Sequence, residues 1–131
     1  RQNSGNVQLS AAGDVQSGTL ETVSGFGNAG SIEINSRRGA IELSNGNISA
    51  FVDVSGRNGN SVTLNAARDI RVQNISTSGG FLGNSSGDIQ LTSQEGSIFL
   101  TDGTLFSAKF GSGTAGTIRL SAAKDIVINQ R

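Results

Sequence analysis

Three aspartates, Asp14, Asp69 and Asp125, stand at one place in a repeating pattern, each directly ahead of an apolar strand signature. Carboxylates ranked along a face could ligate calcium or bind sugar hydroxyls. A corner residue whose carboxylate accepts backbone N–H groups, as Asx residues do in turns, is the competing reading. The intervening repeats carry Ala40 and Ser97 at this place, which breaks the rank and favours the corner.

Other chemistry is sparse. The 131 residues contain no Cys, His, Met, Trp, Tyr or Pro. This excludes disulfides, Cys- or His-ligated zinc, a Cys nucleophile and an imidazole base. The formal charge is zero, from 10 basic and 10 acidic residues, so there is no electrostatic footprint for nucleic acid. Apolar runs such as Ile126-Val127-Ile128 are far short of the roughly 20 residues that span a bilayer, and no membrane insertion is expected. Gly79-Gly80-Phe81-Leu82-Gly83 fails the calcium nonapeptide pattern, and no phosphate-cradling Gly loop is present. No cofactor is expected. The chain begins with Arg1 and reads as an interior piece of a longer, exported protein, to which the absence of Cys adds a hint.

The elements that would position these residues are repeats. Five blocks pair a small or turn residue with apolar-polar-apolar alternation, with coil starts near Gly5, Gly30, Asn60, Gly87 and Gly116. Their first apolar residues, Val7, Ile32, Val62, Ile89 and Ile118, follow one another at alternating shorter and longer intervals, so that every second unit recurs at a nearly constant double period. A second strand follows at Val15, Ile41, Ile70, Ile98 and Ile126. The distance to it from the last apolar residue of each block alternates as 6, 7, 6, 7 and 6. The shorter corner reads Ala-Ala-x-Asp or a close variant, and the longer one contains Gly.

A single unit cannot close a core, but stacked units can. The expected fold is therefore all-β: a right-handed parallel β-helix, or β-solenoid, of about five coils with three short strands per coil, spanning residues 1–131 as one segment roughly 20 to 25 Å tall. One inward ladder is expected from Val7, Ile32, Val62, Ile89 and Ile118, and a second from Leu9, Ile34, Leu64, Leu91 and Leu120. Phe26, Phe51 and Phe81 each lie 19 residues after a block start and are expected to stack inward on a third wall. Third strands are placed around Ile48 to Val54 and around Leu105 to Phe110, with turns at Asn45-Gly46 and three similar Gly-containing sites. A β-sandwich would explain the alternation of apolar residues but not the alternating corner lengths.

Gly-x-Ile-x-Leu-Ser-Ala-Ala-x-Asp-Ile, complete in Gly116 to Ile126 and degenerate in Gly5 to Val15 and Asn60 to Ile70, resembles the repeats of filamentous-haemagglutinin-type bacterial exoproteins. The junctions Gly27 to Ile34 and Gly113 to Ile118 are similar to those of the family's large members. The resemblance covers nearly the whole chain, and short Gly-x-Ile-x-Leu patterns are shared with other bacterial β-helices. It implies a large secreted β-helix, exported by an outer-membrane partner transporter (two-partner secretion) and serving as a surface adhesin or filament. The family's Asn-Pro secretion motifs do not occur in this Pro-free sequence, so that route rests on the resemblance alone.

The outward residues of the two strands align as Gln8, Glu33, Thr63, Gln90 and Arg119, and as Gln16, Glu42, Arg71, Phe99 and Val127. Neither rank holds the paired carboxylates of a polysaccharide-cleaving site, so no enzyme is expected. Their mixed character also argues against a regular-lattice ligand. Phe99 and Phe106 are the candidate sticky spot, with packing of Phe99 beneath a loop as the competing reading. The expected function is a structural stalk or filament segment of a secreted or cell-surface adhesin, with glycans, other cells and lateral or end-to-end copies as possible partners. Two alternatives are a carbohydrate-binding module using the turns Gly25 to Ala29, Ser55 to Asn60 and Gly79 to Ser86, and a fragment of a β-helical polysaccharide enzyme.

Overall fold

The computed structural model describes residues 3–50, 58–79, 85–101, 105–107 and 114–129. Among them there is no helix, and the twelve strands all pair in parallel. The result is a β-solenoid.

The five blocks form β1 (Val7–Ala11), β4 (Ile32–Ser36), β6 (Val62–Ala66), β8 (Ile89–Ser93) and β11 (Ile118–Ala122). These strands lie side by side in that order as one sheet. Pairing is in register, so Val7, Ile32, Val62, Ile89 and Ile118 form one continuous row, and Leu9, Ile34, Leu64, Leu91 and Leu120 the next. The period of two turns these side chains to one face. Ile32, Ile34, Val62, Leu64, Ile89 and Leu91 are fully buried there.

The second wall holds β2 (Val15–Gln16), β5 (Ile41–Ser49), β7 (Ile70–Ser76), β9 (Ile98–Thr101) and β12 (Ile126–Asn129). Its inward row runs Val15, Ile41, Ile70, Ile98 and Ile126. β5 and β7 continue past the corner into a third wall, where β3 (Leu20–Glu21) and β10 (Leu105–Phe106) join them. Asn45-Gly46, expected as a turn, lies inside β5 at a register shift: residues 44–46 of β5 stand opposite residue 73 of β7. The backbone stays extended and absorbs the extra residues as a bulge.

The third wall corrects the expected Phe ladder. Leu20, Ile48, Ile75 and Leu105 pair in register to make the third inward row. Phe26 is 67% exposed, and Phe51 and Phe81 lie outside the described residues. Aliphatic side chains fill the core, and Phe26 lies on the turn beyond it.

The number of coils is also corrected. The solenoid amounts to about three turns, against the five expected. The core is complete from the unit starting at Ile32 to the unit starting at Ile89. At one end Val7, Leu9, Val15 and Leu20 are only partly buried, and at the other Ile118, Ile126 and Ile128 are 43%, 45% and 54% exposed. An end strand has a neighbour on one side only, so its inward row is covered on one side only.

Candidate functional site

The corner between the first and second walls carries the aspartates. β1, β4, β6, β8 and β11 each end on a small residue in register, Ala11, Ser36, Ala66, Ser93 and Ala122. In the longer corners this residue is a serine that organises the turn. Ser36 Oγ accepts from Gly39 N at 3.0 Å and donates to Gly13 O of the preceding unit at 2.6 Å. Ser93 does the same with Gly96 N at 3.1 Å and Arg68 O at 2.6 Å.

The aspartates close the shorter corners against the longer ones. Asp14 Oδ1 accepts from Ala40 N at 2.9 Å, and Asp69 Oδ1 from Ser97 N at 2.8 Å, each donor belonging to the following unit. A Cβ at Gly39 would collide with Asp14 Oδ1 and one at Gly96 with Asp69 Oδ1, so glycine leaves the room in which each carboxylate sits. The corner reading of Asp14 and Asp69 is thus the observed one, with partners in the next coil. Among the described residues, no group of three or more acidic side chains is placed to hold a metal ion.

On the outward face of the second wall, Glu42, Arg71, Phe99 and Val127 are register neighbours. The Arg71 guanidinium lies over the Phe99 ring, with Cζ 4.2 Å from the centroid, and Arg71 Nη2 is 3.9 Å from Asp69 Oδ2. Phe99 is half-buried, and Arg71 covers its ring. The backbone of Phe106 lies in β10, and its side chain is outside the described set. Phe99 and Phe106 are therefore not shown to form one patch. On the first wall, Gln8 Nε2 donates to Glu33 Oε1 at 3.1 Å. A shallow depression lies between Asp88, Ile89, Gln90, Thr117 and Arg119, and Asp88 Oδ1 in it accepts from Thr117 N at 2.8 Å.

A polar rank overlooked in the sequence runs along the turn that leads into the first wall. Asn3 Oδ1 accepts from Asn28 N, Asn28 Oδ1 from Asn58 N and Nδ2, and Asn58 Oδ1 from Ser85 N, at 2.9 to 3.3 Å. Ser85 and Thr114 continue it through their hydroxyls at 3.3 Å. Each of these five residues lies four positions before a block start, so the signal was available in the same alignment that revealed the strands. Asn28, Asn58 and Ser85 belong to the turns proposed above as a recognition edge, and their polar groups serve contacts between coils. Residues 55–57 and 80–84 of that edge lie outside the described set.

The interior turn is closed by hydroxyls as well. Thr22 Oγ1 donates to Gly30 O at 2.5 Å and the fully buried Thr77 Oγ1 to Gly87 O at 2.7 Å. Among the described residues, no buried side-chain polar atom lacks a hydrogen-bond partner. Such satisfaction is what a polar-rich interior requires. No protein-family model, curated protein or solved structure matches this chain.

Proposed function

We propose that the chain is a non-enzymatic structural segment of a secreted or cell-surface bacterial adhesin, a stiff stalk or filament built from right-handed β-helical coils of three short strands. The observation that carries this reading is the use of the outward and turn polar groups. Asn28, Asn58, Asp14 and Asp69 bond to adjacent coils instead of converging on a concave site. A surface organised in this way supplies length and rigidity, because each coil fixes the next.

The family resemblance supports export through an outer-membrane partner transporter and an extracellular location, with glycans, other cells or further copies as partners of the parent protein. The test is binding of the full chain to a panel of glycans and to whole bacterial cells. A folded protein that binds nothing fits the stalk. Saturable binding abolished by changes in one of the turns Gly25 to Ala29, Ser55 to Asn60 or Gly79 to Ser86 would replace it with the carbohydrate-module reading.

A further inference from the structure

The corners alternate strictly between two kinds. Units one, three and five end their first strand with Ala-Ala-x-Asp, at Asp14, Asp69 and Asp125. Units two and four use Ser-x-x-Gly, at Gly39 and Gly96. Each kind offers the other a different set of groups. An Asp corner presents forward one carboxylate and three carbonyls. The second unit meets this set through Arg37 N on Ala11 O, Arg38 N on Ala12 O, Ser36 Oγ on Gly13 O and Ala40 N on Asp14 Oδ1. The fourth unit meets the third identically, through Gln94 N on Ala66 O, Glu95 N on Ala67 O, Ser93 Oγ on Arg68 O and Ser97 N on Asp69 Oδ1. Only glycine fits beneath the carboxylate.

The fifth unit presents the same forward set at Ala122, Ala123, Lys124 and Asp125, beside the exposed Ile118, Ile126 and Ile128. Among the described residues, none donates to the Asp125 carboxylate. The open edge therefore has both an apolar strip and a hydrogen-bonding corner whose complement occurs twice in this molecule.

We propose that the β11–β12 edge is a docking edge specific for a Gly-type coil, a strand-corner-strand segment of the form Ile-x-Ile/Leu-x-Ser-x-x-Gly-Ala/Ser-Ile. The Asp/Gly alternation is a matching code for coil stacking. It selects against the first unit of a second copy, which is itself of the Asp type. In that arrangement Asp14 would stand opposite Asp125, Ala11 would offer no hydroxyl to the Lys124 carbonyl, and the corner would be one residue shorter than in the Gly type.

Two extended chains test this. In one, residues 73–101 are repeated after Ile128, the register equivalent of Val72, which supplies a connector and a Gly-type coil. In the other, residues 44–76 are repeated after Ile128, the register equivalent of Leu43, which supplies a connector and an Asp-type coil. The Gly-type extension is expected to raise the melting temperature by several degrees and to slow hydrogen exchange in the appended strands. The Asp-type extension is expected to leave both unchanged until its corner is rewritten as Ser-x-x-Gly. Asp125→Ala should reduce the gain of the Gly-type extension without affecting the parent chain. Equal gains from the two extensions, no gain from either, or end-to-end dimers of the unextended chain in sedimentation would each overturn the proposal.

Discussion

Ile34 and Ile118 are the same residue type in equivalent strands of one sheet, yet Ile34 is completely buried and Ile118 is 43% exposed. The middle units and the last unit share their apolar alternation, and the last unit's first strand pairs in register with the fourth's. The difference is the neighbour. In a solenoid, a strand's own sequence sets which way its side chains point, whereas burial is conferred by the coil above and the coil below. Stability should therefore be concentrated in the middle units even though the sequence repeats evenly.

The largest contrast is expected from truncating the inward rows. Leu64→Ala should cost about 2 to 5 kcal/mol through the transfer and cavity terms. Ile118→Ala at the open edge should cost about 1 kcal/mol or less. Denaturant unfolding of both variants measures this, and equal losses would break the distinction between middle and edge.

Corner glycines should divide in the same way. Gly96→Ala places a Cβ against Asp69 and the backbone of Arg68 and should cost roughly 1 to 3 kcal/mol by overpacking. Gly13→Ala meets open space, and its effect should stay within about 0.5 kcal/mol. Thermal melts of the pair provide the comparison.

Thr77→Val sharpens the account of the buried turn. The loss should be about 1 kcal/mol, because Ser107 Oγ still donates to the Gly87 carbonyl at 2.9 Å. A loss of several kcal/mol would mean that the two hydroxyls act as one cooperative unit.

The smallest effects belong to the surface. A double-mutant cycle on Arg71 and Phe99 should give a coupling of roughly 0.5 to 1 kcal/mol. Phe26→Ala should change stability by no more than about 0.5 kcal/mol, given its exposure. A loss of about 3 kcal/mol for Phe26, the size expected of a buried aromatic, would restore an inward aromatic row.

Legibility followed chain separation. The first two walls could be read because each first strand follows a small residue by one or two positions and each second strand follows the first at a nearly fixed distance. The third row was read only in part, with strands placed from Ile48 and from Leu105, because its distance from the block start is not constant. Leu20 and Ile75 follow their block starts sooner than Ile48 and Leu105 do, as the longer corner and, in β5, the bulge add residues to alternate units. The constant spacing at Phe26, Phe51 and Phe81 was the more regular signal, and at Phe26, which is exposed, it misled. Equal spacing places residues at the same point of the chain's path without deciding whether that point is inside.

Of the candidate site, the sequence revealed the Asp positions and the adjacency of Glu42, Arg71 and Phe99, both of which depend only on register. It did not reveal that Arg71 lies over the ring of Phe99 or that the Asn rank is bonded from coil to coil, because these depend on rotamers and on which groups the turns bring within hydrogen-bonding reach.

The sequence by itself determined the all-β class, the parallel stacking, the first two inward rows and the alternation of two corner types. Period-two apolarity and fixed small residues act locally and survive without a three-dimensional frame. Tertiary structure alone decided which aliphatic row fills the third wall, how many turns have a closed core, and that the carboxylate of one corner occupies the space left by the glycine of the next. Each of these is a relation between units a whole coil apart in the chain, set by how neighbouring coils cover one another.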